Sequence, residues 1–366
     1  MHVNSVTIAT TAAALLASTS STAFGMPQQA ETGTLITPRI IAGSSASQGE
    51  FGSAVHLTSR ISNNGTSMCG GTLIGESWIV TAGHCTVDPR TAEKLNPDDI
   101  TVYAGSIYNG TAVAEGKGAS IVTAKVSKIV RHPNFAFDLV QGPLSDDIAL
   151  FQLATPLKLS STDVASGSSS NTNSSAAYIT RARIASNAPQ TGGSITPVGW
   201  GLMNETDRAT ISTVLQKTEM TVAPASICTQ VRTNYQQDGQ GPTICSTATT
   251  SGVCKGDSGS GVYMKVPTTG ENLLVGLTSF GTLLPGLNAS QPTNSNTTFC
   301  MGPNSVAFFT RIGYYSDWIT KTTGLSMISL TVNTSASTDA KSPGSSAVSS
   351  MVMTPLALVA AAFALF

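Results

Sequence analysis

Three short segments hold residues that could act together on a carbonyl carbon. Thr81-Ala-Gly-His84-Cys85 places an imidazole just after an apolar run. Asp146-Asp147-Ile-Ala-Leu150 places a carboxylate at the head of another. Gly256-Asp257-Ser258-Gly259 places a hydroxyl between glycines. Each alone says little, because a lone His is usually an ordinary polar residue and Gly-Asp-Ser-Gly is usually a turn. Together they have a chemical logic. A Ser hydroxyl is a poor nucleophile until a neighbouring base takes its proton. Imidazole suits that task near neutral pH. A buried carboxylate holds the imidazole in one tautomer. Flanking glycines let backbone N–H groups face a developing oxyanion.

Such groups must be carried by rigid elements, and the pattern predicts strands. Cys69-Gly-Gly-Thr-Leu-Ile74 and Trp78-Ile-Val-Thr81 read as β runs separated by a turn. Asp147-Ile-Ala-Leu-Phe-Gln-Leu153 reads as another, as do Gly261–Val266, Leu273–Gly281 and Ala307–Ile312. Residues 160–175 are nearly all Ser, Thr, Gly and Asn, a low-complexity loop that separates two halves. Only Tyr314–Thr322 invites a helix, at the end of the second half. Many short strands with Gly-rich turns predict an all-β barrel or sandwich. No fixed-period repeat is visible.

Composition narrows the function classes. The 366 residues carry 19 Lys+Arg against 20 Asp+Glu, a net charge of −1, with 11% charged residues. That balance excludes a basic nucleic-acid face and a charge-driven disordered chain. No metal cluster or cofactor motif occurs. His56 and His132 lie outside the three segments and read as ordinary surface or barrel residues.

Both ends address a compartment. Residues 1–25 read as a secretory signal peptide, with an apolar run from Val6 to Ala17 and cleavage near Ala23 or Gly25. Residues 26–39 read as a short polar propeptide. Residues 321–350 are a Ser/Thr-rich stalk, and residues 351–366 form an uncharged hydrophobic tail. Small residues, a polar spacer and a terminal apolar tail predict a GPI-attachment signal, with simple secretion or a tail anchor as alternatives. Sequons begin at Asn64, Asn109, Asn173, Asn204, Asn288, Asn296 and Asn333, which fits a glycosylated extracellular chain. The six cysteines, Cys69, Cys85, Cys228, Cys245, Cys254 and Cys300, permit three disulfides, and their spacing leaves the connectivity open.

From Ile40 to about Thr320 the chain resembles the trypsin/chymotrypsin family of serine endopeptidases. The order His84, Asp147, Ser258 and the flanking residues agree. So do Arg39-Ile40-Ile-Ala-Gly43, Cys69-Gly-Gly71, Val198-Gly-Trp-Gly201 and Tyr315-Ser-Asp-Trp-Ile319. The resemblance implies two antiparallel Greek-key β-barrels, about 40–160 and 176–312, with the active site in the cleft between them and a short C-terminal helix. It implies His84 as general base and acid, Asp147 as its orienting carboxylate, and Ser258 as nucleophile. It implies an oxyanion hole from the N–H groups of Gly256 and Ser258. It pairs Cys69 with Cys85, Cys228 with Cys245 and Cys254 with Cys300. It implies a zymogen cut after Arg39, whose freed Ile40 amine pairs with Asp257.

The resemblance places Gly252 at the base of the specificity pocket, Ser279 beside the buried Asp, and Gly281 and Ala307 on the pocket walls. Gly252 brings no charge, so an aromatic or large aliphatic side chain is expected before the scissile bond. Implied partners are polypeptide substrates, an activating protease and protein inhibitors, with the membrane reached through the lipid anchor and no cofactor. The sequence departs from the family pattern at Gly259-Ser260-Gly261, where Gly-Gly-Pro is usual, and at Phe280, where Trp is common. The competing expectation is a catalytically silent binding protein on the same fold at the cell surface. Such relatives usually lack a triad residue, and this chain lacks none.

Overall fold

Short runs of branched and aromatic residues build twelve strands that close two rings. The computed structural model describes residues 43–117, 121–139, 142–160, 178–204, 207, 210–285, 300–302, 304–326 and 331–332. The signal peptide, the propeptide with Arg39 and Ile40, the core of the low-complexity loop, the sequons at Asn173, Asn288, Asn296 and Asn333, most of the stalk, and the tail lie outside the described residues.

The first ring contains β1 (Ala54–Ile61), β2 (Gly65–Gly75), β3 (Trp78–Thr81), β4 (Ile100–Ala104), β5 (Val122–Arg131) and β6 (Ala149–Leu153). It closes in the order β1-β2-β3-β6-β5-β4, all antiparallel. The second ring contains β7 (Ser194–Gly199), β8 (Met220–Val222), β9 (Thr243–Thr247), β10 (Gly261–Lys265), β11 (Asn272–Leu283) and β12 (Ser305–Arg311). Its pairings run β7-β8-β9-β12-β11-β10 and return to β7. The two rings share one strand order, the Greek-key arrangement expected from the sequence. Closure leaves no unpaired sheet edge in either ring.

Alternation along the strands fills three apolar layers. Leu57, Leu73, Ile79, Val102 and Phe151 fill the first ring. Ile195, Val222, Val262, Leu273 and Phe309 fill the second. Phe51, Trp78, Ile148, Trp200, Tyr263 and Leu277 belong to a third layer contributed by both rings. Each such side chain contributes about 1.5–3 kcal/mol on burial. The layer shared by the rings therefore fixes one barrel against the other, which any site assembled from both requires.

Helices are few. Among the described residues α1 (Gly110–Ala114) and α2 (Ala225–Cys228) are single turns. The terminal helix α3 (Ser316–Thr323) follows a 3-10 turn at Ile312–Tyr315 and ends on Gly324 at φ +71°, a left-handed cap that glycine adopts without strain. No helix among the described residues is long and apolar enough to cross a membrane.

All three disulfides pair as the resemblance implies. Cys69 on β2 joins Cys85 in the turn after β3, Cys228 at the end of α2 joins Cys245 on β9, and Cys254 joins Cys300.

Candidate active site

The register of one ladder brings His84 and Asp147 together. β3 and β6 run antiparallel with Thr81 opposite Ala149. His84 lies three residues beyond the end of β3 and Asp147 two residues before the start of β6, so both reach the same end of the ladder. A 3-10 turn over Gly83–Thr86 carries His84. A side chain at Gly83 would run into the Phe135 ring, so the turn needs glycine there.

Asp147 is almost enclosed, 5% exposed. Its Oδ1 accepts from the His84 backbone N–H at 2.8 Å, and its Oδ2 lies 2.9 Å from His84 Nδ1. Ser279 Oγ donates to the same Oδ2 at 2.6 Å, and Thr310 Oγ1 donates to the Asp147 carbonyl at 2.8 Å. Burial works against the charge on Asp147, but the His84 imidazole and these donors outweigh it and hold its carboxyl below the usual range. For His84 burial also opposes charge, and the Asp147 carboxylate with its hydrogen bond wins, so the imidazole pKa is raised. With Nδ1–H committed to Asp147, Nε2 is the nitrogen left to accept a proton.

Ser279 owes its aim to a bulge. β11 pairs with β12 at Thr278–Phe309 and again at Phe280–Phe308, so Ser279 has no partner across the ladder. Such an inserted residue re-aims its side chain. Here the hydroxyl turns to the carboxylate of the other barrel.

Ser258 approaches from the second barrel, in the loop just before β10. Its carbonyl accepts from Gly70 N–H of β2 at 2.7 Å, and the next N–H, of Gly259, donates to the Thr278 carbonyl at 2.8 Å. The loop is thus held by both rings. Gly256 and Gly259 adopt φ of +97° and +74°, and a side chain at Gly259 would collide with Thr81 and the Gly70 carbonyl. Thr81 Oγ1 donates to that same carbonyl at 2.8 Å. Among the described residues the N–H groups of Gly256 and Ser258 make no backbone hydrogen bond, which leaves them as donors for an incoming oxygen. Ser258 Oγ makes no hydrogen bond to His84. Contacts of this kind are often long before substrate binds.

Asp257 is fully buried. Among the described residues its oxygens accept from Gly201 N–H and Cys254 N–H, each at 2.8 Å. Burial dominates over these two bonds and pushes its carboxyl up to about 7.

A cavity of about 300 Å³ opens beside Ser258, with Val253, Cys254, Lys255, Ser279, Phe280, Gly281 and Cys300 in its walls. Of the four residues expected at the pocket, Ser279 and Gly281 line this cavity and Gly252 and Ala307 do not. Gly252 is packed against the Cys300 carbonyl, with no room for even a methyl group. Ala307 is 1% exposed and points into the core of the second barrel beside Val253 and Phe309. Neighbouring positions on β12 face opposite sides of the sheet, and Ala307 falls on the inner one with Phe309.

One sequon is also revised. Asn109 is fully buried, its Oδ1 caps α1 by accepting from Ala112 N–H at 3.0 Å, and its Nδ2 donates to the Ser212 carbonyl at 2.9 Å. It has no room for a glycan in this fold. Asn64 and Asn204 are exposed. Cys69, His84 and Cys85 lie close together, but both sulfurs are spent in the disulfide, so the group offers no metal site.

The sequence reading missed Thr310, Gly70 and Thr81 as supports of the site. Only their hydrogen bonds identify them, since a Thr on a buried strand carries no local signal. Ser260, where the family has glycine, lies against Gly70, and a side chain at Gly70 would strike it. Its buried hydroxyl has no hydrogen-bond partner.

Known proteins agree with this arrangement. The family model described as Trypsin matches residues 40–319. A trypsin of Sarcophaga bullata is 28% identical over 214 residues, covering 58% of this chain and 68% of the relative. Trypsin-1 of Astacus astacus is 27% identical over 283 residues, covering 76% of this chain and 98% of the relative. Clotting factor C of Tachypleus tridentatus is 26% identical over 268 residues, 69% of this chain but only 22% of that longer protein. The match spans both barrels, the His84, Asp147 and Ser258 segments and all six cysteines: the chain belongs to the trypsin family.

Proposed function

We propose that the chain is a secreted or cell-surface serine endopeptidase. The observation that carries this is the hydrogen-bonded series Ser279–Asp147–His84 beside the Ser258 cavity. Ser258 Oγ attacks the substrate carbonyl while His84 Nε2 takes its proton. Asp147 keeps the imidazole oriented and stabilises the imidazolium. The N–H groups of Gly256 and Ser258 receive the oxyanion. His84 then protonates the leaving amine, and water hydrolyses the acyl-enzyme by the same steps in reverse.

The cavity favours an apolar side chain before the scissile bond. Val253, the Cys254–Cys300 bridge and Phe280 give it apolar walls, and its one charged side chain, Lys255, is exposed. Among the described residues no carboxylate lines it to meet Lys or Arg, so a Phe or Leu side chain is the expected occupant.

Activation by a cut after Arg39 is consistent with the reach of the chain. Ser45 pairs with Gln216, and Gln216 with Gly199 of β7, two residues before Gly201, whose N–H bonds Asp257. Two strand spacings are about 10 Å, and five extended residues span about 16 Å. The freed Ile40 amine can therefore reach Asp257, whose carboxyl burial pushes up to about 7. Secretion, glycosylation at Asn64 and Asn204 and a GPI anchor complete the reading.

The test takes the full chain before and after a cut at Arg39, with chromogenic peptides ending in Phe, Leu, Ala or Arg and Ser258→Ala as control. Hydrolysis and fluorophosphonate labelling that appear after the cut, favour Phe or Leu and vanish in the variant are expected. A folded, cut chain that neither hydrolyses nor labels is a binding protein instead.

A further inference from the structure

Asp147 is preceded by a residue in an unusual conformation. Asp146 has φ +44°, a left-handed value that is uncommon outside glycine and that Asp and Asn adopt more readily than other residues. Its carbonyl accepts from Ile148 N–H at 2.7 Å, so the chain turns tightly around Asp147. Its side-chain Oδ1 accepts from the Tyr315 hydroxyl at 3.0 Å.

Tyr315 comes from a remote part of the chain, the 3-10 turn that leads into α3. It is 3% exposed and belongs to the apolar layer contributed by both rings. The His132 ring stands edge-on against Tyr315 and Trp318, at 5.1 and 5.0 Å between centroids. Its Nδ1 is 3.7 Å from Asp146 Oδ1, beyond hydrogen-bond range. The Tyr315 hydroxyl is thus the hydrogen-bond donor that holds the Asp146 carboxylate. Asp146 does not line the Ser258 cavity.

We propose that Asp146 and Tyr315 are positioning residues: the Tyr315 hydroxyl locks Asp146 in its left-handed turn, and that turn sets the angle at which Asp147 presents its carboxylate to His84. The C-terminal element thereby reaches the triad without touching it. The inference rests on the protease reading for its kinetic consequence, but its structural half can be read without catalysis.

Two measurements test it on the full chain cut after Arg39. Tyr315→Phe is nearly isosteric and Asp146→Ala removes both the acceptor and the tolerance of positive φ. Each is expected to lower kcat about ten-fold while KM stays within about two-fold. The double variant is expected to lose no more than either single one. Asp146→Asn keeps an acceptor and tolerates the left-handed region, and is expected to restore most of the kcat that Asp146→Ala loses.

In parallel, the downfield proton NMR signal of His84 Nδ1–H is followed in the Ser258→Ala background. It is expected to shift or broaden with Tyr315→Phe and to persist with Asp146→Asn. Unchanged kcat and an unchanged signal in folded Tyr315→Phe would overturn the proposal. So would equal losses in Asp146→Asn and Asp146→Ala. If the cut parent chain neither hydrolyses peptides nor labels, the protease reading fails, while the NMR signal still decides the positioning role.

Discussion

Two buried aspartates flank the candidate nucleophile, and they are pushed in opposite directions. Asp147 in the first barrel receives His84 N–H, His84 Nδ1 and Ser279 Oγ, and its carboxyl is held low. Asp257 beside Ser258 receives two backbone N–H groups, and its carboxyl rises to about 7. Burial is comparable, 5% and 0% exposed. The difference is therefore set by partners, and above all by a side chain able to carry positive charge. One carboxylate is complete as the chain stands. The other becomes so when a cation arrives, which is the role proposed for the Ile40 amine.

The largest expected effect comes from removing the finished charge. Asp147→Asn in the cut chain should lower kcat about 10⁴-fold, a magnitude carried over from the family's triad. Retained activity within about ten-fold would mean that Asp147 does not orient His84.

Next is the unfinished one. The folded pKa of Asp257 lies above its ordinary 3.8, at about 7. The stability this contributes to the uncut chain is fully present below pH 3.8 and is lost as pH rises through about 7. The loss amounts to about 4 kcal/mol. Urea unfolding at pH 4.5, 6 and 7.5 should show a falling trend that Asp257→Asn flattens. Asparagine can accept one of the two N–H bonds, so the variant is less stable throughout. In the cut chain a paired Ile40 amine keeps Asp257 ionised and removes this fall. Identical slopes before and after cutting would show that no cation reaches Asp257.

His56 extends the contrast to a base. It is 1% exposed, with Nε2 lacking a partner and Nδ1 accepting weakly from Gly110 N–H at 3.4 Å. Burial lowers its pKa from 6.5 to about 4. The folded state refuses a proton that the unfolded chain takes, so stability is lost as pH falls from 6.5 to 4. The loss is about 3 kcal/mol. His56→Phe should remove that part of the acid sensitivity, and an unchanged acid limb would refute it. The smallest effect is expected from Ser279→Ala, which deletes one of three donors to Asp147. A loss of about 1–2 kcal/mol in transition-state stabilisation, seen as lower kcat at constant KM, would rank the hydroxyl against the imidazole.

What the sequence made legible was local. Each reactive residue lies within a few positions of a strand end, and the residue types around it narrow the chemistry. The same holds for Trp78–Thr81 and for the start of α3. What escaped depended on which way a side chain faces after register is set. Ala307 looked like a pocket wall and is core. Gly252 looked like a pocket base and is pressed on the Cys300 carbonyl. Asn109 matched a sequon and is a buried helix cap. Ser279 was placed correctly only through the resemblance, since its aim comes from a bulge that no sequence pattern marks. The pairing of six cysteines likewise came from the resemblance and not from their spacing.

The site is divided between two closed rings, with Gly70 of one holding the Ser258 carbonyl of the other. A chain in which only one barrel has formed owns a nucleophile without a base, or a base without a nucleophile. During synthesis such a chain cannot yet bring the two together. Division of the site thus separates its parts in time, earlier than any cut: His84 and Ser258 meet only once both rings have closed.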